Sequence, residues 1–408
     1  MLSQTMLKGK KRITLGAFLS MGLLGMSRTF LGTALPSIRT TFDLNLLQAG
    51  TFPSLLQLGY SFAVFAGGPL SDALEKRRLL ASGALLMGCS LFLFGVFGWL
   101  WASLVCVTLI GVAGGVIESS SNPLLVQLFR GRESSVMNIH HFFFAVGSLS
   151  GPLIVGAALA GGITWQDAYR FYGLLALLLC SILFLPGIPP VRSDRPFDRR
   201  GVGTLLRNRA FLALFVITFL SVGVQNGIAY WLVTFLQGVK GFSIGIASTS
   251  LSLFFVCLAI GRLLTSYLIT RFRETGYLLA LFSLVLISLA FIITLPGLRA
   301  LPFIGLCGLA QAGVFPTLLG RAGRLYSQTP GTALGLIATG TGLGSMVIAW
   351  LISFISQLAG LQAGFAFLEF VLLLCIALMI LHIQTAKGVH GAGTPTLRAA
   401  AGDTRTEH

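Results

Sequence analysis

Long apolar runs recur along the whole chain, and short basic clusters separate them. A membrane helix needs roughly 20 mostly apolar residues. Runs of that length lie at 13–38, 46–70, 79–98, 101–125, 138–160 and 168–186, and again at 210–236, 245–268, 277–296, 301–320, 331–355 and 362–383. Only 10% of the 408 residues are charged and mean hydropathy is +0.88, where a soluble domain carries about 25% charge. These figures exclude a disordered chain and an ordinary soluble one. The expected fold class is therefore an all-α membrane protein with twelve transmembrane helices. The run at 13–38 is too long for the apolar part of a signal peptide, and we read it as a retained first span.

Net charge is +16. With the N-terminus inside, 22 of the 28 basic residues fall in segments on one side. That bias marks cytoplasmic loops, so the charge is a topology signal and nucleic acid is not an expected partner. Both termini are expected in the cytoplasm of a bacterial cell, with the chain in its inner membrane. The six cysteines, Cys89, Cys106, Cys180, Cys257, Cys307 and Cys375, lie within apolar runs and read as small buried hydrophobes.

The expected domain plan is a cytoplasmic N-terminus at 1–12 and a first six-helix half at 13–186. A cytoplasmic linker at 187–209, rich in proline and arginine, leads to a second half at 210–384. A cytoplasmic tail at 385–408 is expected to be disordered. A shift of 193 residues brings Gly68 onto Gly261, Arg78 onto Arg271, Gly83 onto Gly276, Gly115 onto Gly308, Pro123 onto Pro316, Gly147 onto Gly340 and Gly151 onto Gly344. The implied architecture is two pseudo-symmetric six-helix halves related by a parallel repeat. In transporters so built, solute binds near the midplane between the halves.

The segment from Gly68 through Asp72 to Arg77 and Arg78 resembles the loop motif of the major facilitator superfamily, with Ala73 and Glu75 as departures. Glu118-Ser119-Ser120-Ser121-Asn122-Pro123 resembles the Glu-x-x-x-Asn-Pro signature of the fucose permease-like branch. Asn138 to Pro152, Val222 to Gln225 with Trp231, and Gln311 to Thr317 are similar to other segments of that branch. The resemblance implies a secondary transporter working by alternating access on a small-molecule solute, with protons as a candidate coupling ion. Two acids that the branch often carries are replaced here, by Arg28 and by Gln225.

Polar residues within the spans are the candidate site. A central arginine costs at least ~2.5–3.5 kcal/mol to insert, so Arg28 must face the bundle interior. Gly25 and Gly32 flank it on one helix face and would leave it room. Glu118 and Asn122 share a face at i and i+4. Measured along the spans, Glu118 lies closer to the cytoplasm than Arg28. Glu118 is the candidate coupling acid and Arg28 its charge partner or an anion anchor. His141, Gln225, Asn226, Tyr230 and Gln311 complete the candidate solute-binding set, and Trp231 offers an aromatic surface. Gly68, Asp72, Arg77, Arg78 and Arg262 are the candidate gating residues. His140 reads as structural, and Glu369 as peripheral.

No HExxH, Walker or GxSxG motif is present. No enzyme activity, cofactor or metal is expected, and the chain is read as a monomer in the lipid bilayer. The expected solute is a small polar one, sugar-like or an organic anion. Gly147 to Gly156 partly resembles an antiporter motif, which makes a proton/drug antiporter the rival reading. A non-transporting sensor or assembly protein, using Arg192 to Arg209 as contact surface, is the alternative from another class.

Overall fold

The computed structural model describes residues 2–129, 133–184, 199–269, 271–326 and 330–391. Some side chains near helix ends, including those of Gly68, Asp72 and Asn138, also lie outside the described set. Fifteen helices follow in order: α1 (Leu2–Thr41), α2 (Leu46–Ala49), α3 (Thr51–Ala73), α4 (Lys76–Val96), α5 (Leu100–Leu128), α6 (Glu133–Ala160), α7 (Trp165–Phe184), α8 (Arg199–Arg207), α9 (Arg209–Lys240), α10 (Ile244–Leu268), α11 (Glu274–Thr294), α12 (Leu301–Gln311), α13 (Val314–Leu325), α14 (Pro330–Ala359) and α15 (Leu361–Gly391). No strand occurs among the described residues. In hydrocarbon only a helix or a closed barrel satisfies every backbone group, and the chain takes the first solution.

By length and composition, ten helical stretches among the described residues can cross a membrane. The other two spans are α3 and α7, of 23 and 20 residues. The short helices α2 and α8 lie between spans, and α12 with α13 makes the tenth. Local chemistry sets several ends. Asn208 caps α9 by accepting from the Phe211 amide, and Gly241, at φ 68°, ends it in the left-handed region. Ser243 then caps α10 at the Ile246 amide.

Three boundaries depart from the sequence expectation. α1 begins at Leu2 rather than near residue 13, because no proline interrupts the basic segment. α15 runs on to Gly391, into the tail expected to be disordered. The first proline beyond it, Pro395, lies outside the described residues. The tenth span is broken between Gln311 and Val314. Pro316 lacks an amide proton and its ring crowds the carbonyl four residues back, at Ala312.

The repeat is visible in the packing. α3 packs on α5 as α10 packs on α12, α1 on α6 as α9 on α14, and α4 on α7 as α11 on α15. Gly147 and Gly151 of α6 back onto Gly22 and Met26 of α1; Gly340 and Gly344 of α14 back onto Phe215 and Phe219 of α9. Each contact maps onto its counterpart under the 193-residue shift. The glycines recur because a Cβ at these closest approaches would strike a neighbouring helix.

Between the halves, α3 meets α14, α6 meets α10, and α1 crosses α9 at the centre. The halves close on the membrane face that carries the 42–45 and 360 connections. There the Leu46 amide donates to Gln357 Oε1 at 2.9 Å, and Ser54 Oγ donates to the Met346 carbonyl at 3.3 Å. A central cavity lies behind this closure.

Candidate functional site

The cavity holds about 890 Å³ of atom-free space, its open mouth included. One half contributes Arg28, Gln57, Tyr60, Glu118, His141 and Phe144; the other contributes Gln225, Asn226, Tyr230, Phe255, Arg262 and Thr341, among others. Met21, Arg262, Phe315 and Ala338 carry it toward the face opposite the closure.

Arg28 Nη2 stands 3.8 Å from Glu118 Oε2, with side chains 16% and 23% exposed. The sequence places the two at different depths. However, α1 and α5, the first and fourth spans, run antiparallel, and side chains lean toward their own helix N-terminus. The two therefore lean toward each other and close the gap. Contrary to the sequence expectation, Gly25 and Gly32 do not leave Arg28 open space. A Cβ at Gly25 would meet the Phe144 carbonyl of α6, and one at Gly32 the Ala229 carbonyl of α9. These glycines bring α1 against both halves and so hold Arg28 at the junction.

Tyr60 was not among the sequence candidates, yet it organises the charges. Its hydroxyl donates to Glu118 Oε2 at 2.8 Å, and its ring lies 4.3 Å from the Arg28 guanidinium carbon. Phe144 lies 5.6 Å from the same carbon. Gln57 was likewise missed. Its Nε2 donates to the Tyr230 hydroxyl at 2.6 Å, joining α3 to α9 across the halves, and both residues are buried. The available signal for both was a polar side chain facing an apolar span, which is common enough to single out neither.

Asn226 Nδ2 donates to Ser345 Oγ at 2.7 Å, which braces α9 against α14 beside the cavity. His141 lies within electrostatic reach of Glu118 and Arg262. His140 is buried off the cavity wall, with Nε2 3.0 Å from Ser121 Oγ.

Other candidates fall elsewhere. Asn122, one turn beyond Glu118, is off the cavity wall, with Oδ1 buried and unpartnered. Four residues advance it ~6 Å along α5 and rotate it ~40° from the direction of Glu118. Gln311 is also off the wall and buried at the helix break. Trp231 offers no surface, being fully buried with Nε1 donating to the Ala349 carbonyl at 3.2 Å. Arg77 Nε donates to the Leu183 carbonyl at 3.2 Å. Arg78, 85% exposed, pairs with Glu75 at 2.8 Å. The side chains of Gly68, Asp72 and Asn138 lie outside the described residues. Arg262, a candidate gating residue in the sequence, stands on the cavity wall. Glu369, on α15, does not line the cavity.

Comparison with known proteins agrees with this architecture. The profile of the Major Facilitator Superfamily matches residues 17–328. An uncharacterized MFS-type transporter, YfkL of Bacillus subtilis (strain 168), is 23% identical over 368 residues, covering 86% of this chain and 91% of YfkL. A bacterial homologue of the human lysosomal transporter Spinster, inward-facing and unoccupied, superposes with a TM-score of 0.76 at 15% identity, covering 95% of this chain and 99% of that one. FucP, a fucose:proton symporter of E. coli, in its outward conformation gives a TM-score of 0.64 at 19% identity, over 92% of this chain and 98% of that one. A multi-pass helical bundle, a repeated half and a profile match over most of the chain converge: the chain belongs to the Major Facilitator Superfamily.

Proposed function

We propose that this chain is a secondary transporter of the inner membrane. It moves a small polar solute of the sugar-like or organic-anion class by alternating access, and the central cavity is its solute site. The observation that carries this reading is the cavity's position: charged and amide side chains from both halves converge on it. A solute bound there touches both halves, so its binding can bias their relative movement. Closure on one face, with the cavity reaching toward the other, fits one state of such a cycle.

Glu118 is the coupling acid. It is the carboxylate on the cavity wall, reached by the Tyr60 hydroxyl and by Arg28. Protons are the coupling ion, and both termini and the 187–209 segment face the cytoplasm, in keeping with the basic bias. The test is transport in proteoliposomes. Solute addition should change lumenal pH, and Glu118→Gln should abolish concentrative uptake while sparing counterflow exchange. Normal accumulation by that variant would remove Glu118 from coupling.

A further inference from the structure

The charges on the cavity wall do not balance. Arg28 and Arg262 both line it, one from each half, whereas Glu118 is the carboxylate facing them. Two guanidinium groups against one carboxylate leave one excess positive charge among these three groups. Charge in a membrane interior is costly unless paired, and a neutral solute would leave that excess in place.

The two guanidinium groups also retain unused donors. Arg28 Nε and Nη2 are buried without a hydrogen-bond partner, and Nη2 stays 3.8 Å from Glu118, beyond hydrogen-bond length. Nε and Nη2 form one edge of the guanidinium fork, the edge that takes a carboxylate in two parallel bonds. Arg262 Nε is likewise buried and unpartnered. Among the described residues Arg262 makes no ion pair. Unmade bonds at buried donors are expensive, so both arginines gain when an anion arrives. Around them the wall is aromatic: Tyr60 and Phe144 flank Arg28, and Phe255 and Phe315 stand in the second half.

We infer that the cavity takes a small organic anion bearing one carboxylate, held between Arg28 of one half and Arg262 of the other, with its body against the aromatic wall. One negative charge cancels the excess, whereas a dianion would reverse it. An anion shared by the two halves also draws them together on the open face. The inference rests on the reading of the cavity as the solute site and chooses within it, against a neutral sugar.

The experiment is thermal stabilisation of the purified full chain by defined probes: benzoate and gluconate, their neutral counterparts benzyl alcohol and glucose, the dianion glycerol 3-phosphate, and chloride at matched ionic strength. At least one carboxylate should raise the melting temperature while its neutral counterpart and chloride do not. Arg262→Gln and Arg28→Lys should each weaken that response roughly tenfold or more, the worth of a charge-assisted hydrogen bond. Lys11→Gln, which removes an exposed charge outside the cavity, should leave it unchanged. The inference is overturned if no carboxylate acts, if glucose matches gluconate, if glycerol 3-phosphate acts more strongly than either carboxylate, or if Arg262→Gln responds like the native chain. Glucose stabilisation that Asn226→Ala abolishes would reject the anion and leave the transport reading standing. Failure of the native chain to move either carboxylate or sugar in proteoliposomes would reject the transport reading instead.

Discussion

The Tyr60 hydroxyl donates to the Glu118 carboxylate at 2.8 Å while the same ring lies against the Arg28 guanidinium, 4.3 Å from its central carbon. One side chain therefore serves both members of the Arg28–Glu118 pair, and its two contacts can be separated by mutation. Tyr60→Phe keeps the ring under Arg28 and deletes the hydroxyl. It should lose about 1.5–3 kcal/mol, the worth of a hydrogen bond to a charged group. Tyr60→Ala removes the cation–π support as well and should fall further. Equal melting temperatures for the two variants would show that the ring contact adds nothing.

The Arg28–Glu118 pair makes a second prediction. Removing one partner of a fully buried pair costs about 3–5 kcal/mol. These side chains retain 16% and 23% exposure, so Arg28→Ala should cost less, on the order of 1–3 kcal/mol. Adding Glu118→Gln to Arg28→Ala should restore much of the loss, because the stranded carboxylate is gone. A melting temperature unchanged in Arg28→Ala would refute the pairing.

Closure of the halves rests in part on Gly32, where a Cβ would meet the Ala229 carbonyl. Gly32→Val should hold α1 away from α9 and shift the chain toward a state open on that face. Ser54, buried at the closure beside the Met346 carbonyl, reports the change. A cysteine placed there should resist an impermeant thiol reagent in the native background and react in Gly32→Val. Equal labelling in the two backgrounds would show that this approach does not hold the face shut.

The sequence reading predicts the sidedness: with the N-terminus inside, 22 of 28 basic residues fall on one side. A cysteine at Ser193 should be protected from impermeant reagents applied to intact cells and labelled after lysis. Labelling from outside would invert the topology.

Much of this molecule is legible in its residues. The apolar runs specify the spans, because about 20 apolar residues match the bilayer and only a helix satisfies their backbone. The repeated glycines specify the halves, because close helix approach excludes a Cβ wherever the symmetry recurs, as at Gly147 with Gly22 and Gly344 with Phe219. The cost of charge in hydrocarbon marks Arg28 and Glu118 for the interior. Their contact, the central place of Tyr60 and Gln57, the exclusion of Asn122, Gln311 and Trp231, and the arrival of Arg262 on the cavity wall were decided by the tertiary structure. The reason is geometric. Sequence spacing places a residue along its own helix, whereas the crossing, direction and register of neighbouring helices decide what it faces. Antiparallel α1 and α5 tilt Arg28 and Glu118 toward each other, and closure on one face leaves the cavity to extend along α10 as far as Arg262.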